Sequence, residues 1–364
     1  MKDFQGYQMR RRTFMGRLVH RPPAHDGLLC KSYGGCPSAG CPRNIEEEKK
    51  MKLVFLEPLG ISQESLEKLV QDKIGDRMEV VYYPDRREDT EELIRRSQGA
   101  DVVVLSNFQY RKEVMEHCPD LKMVCVAFTG VDHVDVDYCR ERGIMVCNCA
   151  GYSTVAVADL VFGMVIDLAR NILPCNEAVR RGGTKNGLVG FELEGKVFGV
   201  VGLGAIGHRV ARIANAFGCK VLAYNRSRKD VEGVEQTDLD TLLSQSDIVS
   251  LHVPLNDSTR GMIGTEALKK MKKSAFLINT ARGPVVDSQA LAEALKEGTI
   301  AGAAVDVFET EPPIQPDHVL FNAPNLIATP HVAFATQQAF EKRAVIVCDN
   351  IAGWLDGKPV NVIS

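Results

Sequence analysis

Val197-Phe198-Gly199-Val200-Val201 runs without a break into Gly202-Leu203-Gly204-Ala205-Ile206-Gly207. The first five residues form a short apolar run of strand length, and the next six carry glycine at the G-x-G-x-x-G spacing. Downstream, Ile206, Val210, Ile213 and Phe217 recur at helical spacing, and Gly218 supplies a stop. Strand, tight turn and helix in that order are the opening of a β-α-β unit of the dinucleotide-binding type. In it Gly202 permits the turn, Gly204 lets the backbone approach a pyrophosphate, and Gly207 lets the helix pack closely on the strand. The expected anion site is the helix N-terminus, where free N–H groups and the dipole favour negative charge.

The next strand, Lys220 to Asn225, ends in Tyr224-Asn225-Arg226-Ser227-Arg228. A site selective for NAD usually places an acid about where Asn225 stands, to hold the ribose 2′-hydroxyl. Asn225 carries no charge to repel a 2′-phosphate, and Arg226 with its neighbours offers charge-assisted donors to one. The residues therefore lean to NADP over NAD.

Working outward, apolar strand-length runs alternate with amphipathic segments on both sides of this unit. Upstream the strands are read at Lys52–Leu56, Glu79–Tyr82, Asp101–Leu105 and Met123–Ala127, with helices such as Ser65–Gln71 and Thr90–Ser97 between them. One long apolar helix, about Val155–Leu173, leads to a polar stretch around Arg181–Asn186. Downstream strands are Asp247–Leu251, Ala275–Asn279, Ala301–Val305 and Asn325–Ala328. Strand and helix alternation of this kind predicts an α/β protein with two doubly wound parallel-sheet domains.

The chain has 364 residues, 45% of them hydrophobic, and a formal net charge of −3, which suits two domains of common size. No basic stripe marks a nucleic-acid binder, and no apolar run reaches the ~20 residues a membrane helix needs. The cysteines are scattered, several in apolar runs, and without a signal peptide they are read as reduced thiols of a cytoplasmic protein. Residues 1–50 lack periodicity and are read as a disordered leader. Cys30, Cys36 and Cys41 there, with His20 and His25, are poor support for zinc, so no metal is expected. Met51 is an alternative start, since Glu46-Glu47-Glu48-Lys49-Lys50 is what purine-rich codons would encode.

In open α/β sheets ligands bind beyond the carboxyl ends of the strands, and three such ends here carry reactive side chains. Ala275–Asn279 leads to Thr280-Ala281-Arg282-Gly283, Ala301–Val305 to Asp306 and then Glu311, and Asn325–Ala328 to Thr329-Pro330-His331. Reduction of a 2-keto acid by hydride needs a cation on the carboxylate and carbonyl, an acid for the oxygen, and a carboxylate to hold that acid in its protonated form. Arg282 with its planar fork, His331 and Glu311 answer those needs in turn.

These residues resemble one family closely, the D-isomer-specific 2-hydroxyacid dehydrogenases, over about Met51 to the C-terminus. The shared motifs are Val201–Gly207, His252-Val253-Pro254-Leu255 with Thr259, Asn279–Gly283, Ala304–Phe308 with Glu311-Pro312, and Pro330-His331. The resemblance implies the catalytic roles of Arg282, Glu311 and His331, the D stereochemistry, and a homodimer formed through the nucleotide domain. It implies cofactor contacts at Ala205, Ile206, Val253, Pro254, Thr259, Ala281 and Asp306, with Thr280 beside them, and an NAD(P) cofactor. It also implies that the chain crosses back near its end. Residues 51–152 and 338–364 then form a flavodoxin-like substrate domain, and 153–337 a Rossmann nucleotide-binding domain. The substrate carboxylate is expected on the amides of Thr129 and Gly130 together with Arg282, with Asn107 and Phe108 lining the pocket. Gly151-Tyr152-Ser153-Thr154 is similar to the form in glycerate dehydrogenases, or hydroxypyruvate reductases. Asp159 departs from the family's glutamate, and Asn225 from its acid.

The implied activity is therefore NAD(P)-dependent interconversion of a small 2-keto acid and its D-2-hydroxy acid, with hydroxypyruvate or glyoxylate favoured as the keto acid. D-3-phosphoglycerate and D-lactate dehydrogenase remain open as alternatives. Glu311 argues against formate dehydrogenases, which carry glutamine there. A non-enzymatic, dinucleotide-sensing corepressor of the same fold is the reading from another class.

Overall fold

In a computed structural model of the chain, the described residues are 50–311 and 313–364; the expectations about a leader, a zinc knuckle and a second start fall largely outside them. The described residues cluster as one compact unit built on two sheets whose named strands all run parallel. The first sheet has strands β1 (Met51–Phe55), β2 (Met78–Tyr82), β3 (Val102–Leu105), β4 (Met123–Val126) and β5 (Met145–Cys147), in the order β2-β1-β3-β4-β5. The second has β6 (Val197–Val201), β7 (Lys220–Tyr224), β8 (Val234–Gln236), β9 (Ile248–Leu251), β10 (Phe276–Asn279), β11 (Gly302–Val305) and β12 (Leu326–Ala328), ordered β12-β11-β10-β9-β6-β7-β8. β3, β4, β9, β10 and β11 are buried along their whole length, as strands covered by helices on both faces must be.

Strand order reverses between β1 and β3 in one sheet and between β6 and β9 in the other. Chain leaving the two sides of such a point diverges and leaves a crevice at the carboxyl edge. The helix Gln337–Leu355 follows the last strand of the second sheet, yet its Ala339, Ala344, Val347, Cys348 and Ile351 lie in the core of the first. The C-terminal residues extend the same sheet: Ile363 donates to the Val146 carbonyl at 2.8 Å, and Val362 pairs antiparallel with Cys147.

Three details differ from the sequence reading. β5 and β8 are three residues each, too short for an alternating pattern to show. The long apolar helix is two helices, Thr154–Arg170 and Ile172–Arg180, broken where Asn171 adopts a left-handed φ of 53°. The helix after the glycine turn, Ala205–Ala216, buries Gly207, Val210, Ala211 and Ala214, while Phe217 is 40% exposed. Ile206 and Ile213 pack on the same core as Val210, so the expected face is widened by the small residues Gly207, Ala211 and Ala214, and of the expected four Phe217 is the exposed one. The eight cysteines among the described residues are all free, and no helix there is long and apolar enough to cross a membrane.

Candidate active site

A cleft of about 550 Å³ opens where the carboxyl ends of the two sheets face each other. On the β6 side, Gly202 has φ 99°, and a Cβ on it would stand 2.7 Å from the His252 carbonyl oxygen. A Cβ on Gly207 would stand 1.9 Å from the Gly202 oxygen. Both glycines therefore shape the turn from within and do not line the cleft. Gly204 is the N-cap, with open space at its Cβ position and no side chain capping the helix. The free N–H groups of a 12-residue helix thus point into the cleft wall formed by Gly204, Ala205 and Ile206, a cradle that fits a pyrophosphate. Val253, Pro254, Thr280 and Ala281 continue the same wall.

Two expected cofactor contacts do other work. Thr259 is buried; its Oγ1 donates to the Pro254 carbonyl at 2.6 Å and accepts from Asn256 N at 2.9 Å, so it fastens the Val253-Pro254 loop. Asp306 is fully buried, and its carboxylate accepts from Val332 N at 2.9 Å, Ala333 N at 2.8 Å and the Thr329 hydroxyl. Burial pushes the Asp306 carboxyl above the ordinary range, against the pull of those donors. Asn225 accepts from Leu203 N at 3.0 Å and donates to the Ser227 carbonyl at 2.7 Å, tying the glycine turn to the end of β7. Arg226 and Arg228 are exposed beside it, and Lys229 Nζ donates to the Leu203 carbonyl at 2.8 Å.

The three reactive residues come together. Glu311 Oε1 lies 2.7 Å from His331 Nδ1, and its Oε2 accepts from Phe308 N at 3.1 Å. With Nδ1 engaged, Nε2 is the ring nitrogen left for a reactant. His331 has φ 51°, and its own N–H donates to the Asp306 carbonyl at 2.7 Å. A non-glycine residue held in that region costs ~1–3 kcal/mol and persists only where its surroundings over-determine it; Asp306, bonded to the Thr329 hydroxyl before it and to the Val332 and Ala333 amides after it, is that surrounding. Phe128 and Phe334 stand edge-on to the imidazole, centroids 5.7 and 5.4 Å away.

Arg282 is oriented from both sheets. Asn279 bridges its turn, donating to the Arg282 carbonyl at 3.0 Å and accepting from Ala281 N at 3.1 Å. The guanidinium donates from Nη1 to the Ala281 carbonyl at 2.8 Å, and from Nε and Nη2 to Asp132 Oδ1 at 3.3 Å each. Burial is the strongest single influence on Asp132 and opposes its charge, but the Arg282 guanidinium, a backbone N–H and His133 together hold the carboxyl below the usual range. A Cβ on Gly130 would fall 1.8 Å from Arg282 Nη2 and 3.0 Å from its Cζ, so the tip of the guanidinium occupies the space the glycine leaves. Thr129 and Gly130 line the cleft, with Asn148 donating to the Thr129 carbonyl at 2.7 Å.

Phe108 does not line the cleft: it is 1% exposed, in the core beneath the Arg86 guanidinium 5.4 Å from its ring. Asn107 borders a second cavity of about 120 Å³ beside Arg282 and His331. His252, quoted in the sequence only as part of a motif, also lines the main cleft; its Nε2 is 2.9 Å from Ser250 Oγ, and burial draws its pKa down to about 3. Its signal was available, since it too follows the carboxyl end of a strand.

Residues 162–333 match the family described as D-isomer specific 2-hydroxyacid dehydrogenase, NAD binding domain. A glycerate dehydrogenase of Methylorubrum extorquens is 42% identical over 282 residues, covering 75% of this chain and 88% of that protein. A glyoxylate reductase of Thermofilum pendens is 44% identical, covering 74% of this chain and 82% of that protein. The solved structure of an acyclic imino acid reductase in complex with NADPH and D-Arg superposes with a TM-score of 0.79 at 34% identity, covering 86% of this chain and all of that one (100%).

Proposed function

The chain belongs to the D-isomer-specific 2-hydroxyacid dehydrogenases, and from that membership we propose how its cleft reduces a small 2-keto acid, hydroxypyruvate or glyoxylate, to the D-2-hydroxy acid. The enzyme is a nicotinamide-dependent oxidoreductase. The observation that carries the mechanism is the 2.7 Å contact of Glu311 with His331, on the same cleft edge as Arg282 and the glycine turn. Gly204, Ala205 and Ile206, with Val253 and Pro254, would hold a nicotinamide dinucleotide, which when bound would supply or accept the hydride at the substrate's second carbon. Arg282 holds the substrate carboxylate with the amides of Thr129 and Gly130 and polarises the carbonyl. His331 gives its Nε2 proton to the carbonyl oxygen, and the Glu311 carboxylate stabilises the imidazolium beforehand. In the other direction neutral His331 takes the proton from the hydroxyl.

Residues 153–337 are the nucleotide lobe in this reading, and 51–152 with 338–364 the substrate lobe. The absence of an acid at Asn225, with Arg226 and Arg228 exposed alongside, supports NADP over NAD. Exposed Ile172, Leu173, Val179 and Val189, with exposures of 48, 51, 73 and 82%, support a homodimer through the nucleotide lobe. A cytoplasmic setting agrees with the free cysteines.

The test is loss of nicotinamide absorbance with glyoxylate, hydroxypyruvate or pyruvate, run with NADH and NADPH in parallel. Turnover with the first two, faster with NADPH, is expected. Reduction of no keto acid with either dinucleotide would leave the sensor reading in its place.

A further inference from the structure

The smaller cavity, about 120 Å³, is bordered by Arg282, Glu311 and His331 together with Asn107, Gln109 and His133. A 2-keto acid held through its oxygens by Arg282 and His331 carries its third carbon two bonds from the carbonyl oxygen. The glycine-turn side of the main cleft would hold the hydride donor, and this cavity on the other side of Arg282 and His331 is open to the substituent. The space suits a hydroxymethyl group, two heavy atoms of roughly water size at ~30 Å³ each.

The chemistry of the walls is specific. His133 is 5% exposed and its Nε2 has no hydrogen-bond partner. Burial draws its pKa down to about 4, so it stands as a neutral imidazole. Asn107 Oδ1 accepts from Arg86 Nη1 at 2.8 Å, the nitrogen that also donates to Glu57 Oε2 at 3.0 Å. That contact fixes the amide and leaves its N–H groups as donors. Asp132, Glu309 and Glu311 border the same space, three carboxylates against the Arg282 guanidinium and the imidazolium of His331. Such walls welcome a neutral hydroxyl and repel an anion.

We propose that this cavity is the subsite for the third carbon of the keto acid, and that His133, Asn107 and Gln109 select an uncharged, hydroxyl-bearing substituent there. The substrate class is then the 3-hydroxy-2-keto acids, with phosphorylated relatives excluded. This rests on the keto-acid reductase reading above.

The experiment measures kcat/KM on the full chain for glyoxylate, which has no third carbon, and for pyruvate, hydroxypyruvate and 3-phosphohydroxypyruvate. Wild type is compared with His133→Phe and with Gln109→Leu, an exposed position that cannot threaten folding. Wild type should favour hydroxypyruvate over pyruvate by about tenfold or more and over the phosphorylated acid by more still. Each variant should lose most of that preference while glyoxylate stays within roughly twofold of wild type. A wild type that prefers the phosphorylated acid, or variants that lower all substrates in parallel or leave the hydroxypyruvate-to-pyruvate ratio unchanged, overturn the subsite. If glyoxylate too is untouched by wild type, the failure belongs to the reductase reading instead.

Discussion

At Gly130 a single missing methyl group sets the position of the cation that receives the substrate. The Arg282 guanidinium occupies the space a side chain would fill, 1.8 Å from the would-be Cβ, and Asp132 grips it from the Nε edge. Gly130→Ala therefore displaces Arg282 from its site without touching the nucleotide turn. The KM for the keto acid should rise at least about tenfold, the loss expected of a misplaced charge-assisted contact, while the Kd for the dinucleotide stays as in wild type. An unchanged KM would show that Arg282 binds substrate from some other position. The sequence pointed to Gly130 for its amide, and to Arg282, Glu311 and His331 for their chemistry. It did not pair Arg282 with Asp132, because that contact joins residues 150 apart across two sheets. Phe108 was misread for a related reason, since which face of a post-strand turn meets the cleft depends on packing.

Among the elements, the segment after β12 shows how a buried acid acts through another residue. Asp306 collects Thr329, Val332 and Ala333 onto its carboxylate and so imposes the left-handed turn at His331. Asparagine has the same shape but one acceptor oxygen in place of two, and its NH₂ would face a backbone donor. Asp306→Asn should lose at least one bond worth ~1.5–3 kcal/mol, release the strained turn, and lower kcat about tenfold or more. Dinucleotide binding should be nearly kept, since Asp306 does not border the cleft. A variant with wild-type kcat would mean that His331 holds its φ without help. Strand order and the glycine turn were legible from apolar runs and spacing, and ten of the strands were found. β5 and β8 were not, being short edges whose place is decided by neighbours, and the break at Asn171 needed a left-handed residue that no apolar count reveals.

Across the whole molecule, two neutral histidines, His252 on the main cleft and His133 on the smaller cavity, tie stability to pH. Burial lowers His133 from its ordinary 6.5 to about 4 and His252 to about 3. In the unfolded chain both protonate below 6.5, whereas in the fold they stay neutral. The stability they confer is complete above pH 6.5 and is lost as pH falls toward about 4 for His133 and about 3 for His252. Asp306, pushed up by burial, works in the opposite sense. Asp132 and Asp247 are held below the ordinary carboxylate range and stay ionised well below pH 5. At pH 5 the His133 contribution is down by roughly 2 kcal/mol; His252 keeps part of its surface on the cleft, so solvent reduces its share. Urea unfolding of the full chain at pH 7 and pH 5 should accordingly give a lower midpoint at pH 5. In His133→Phe, which has nothing to protonate, the gap between the two midpoints should shrink by about half. A gap as wide as in wild type would mean that His133 carries its proton in the folded state, and with it a charge that the neutral subsite does not allow.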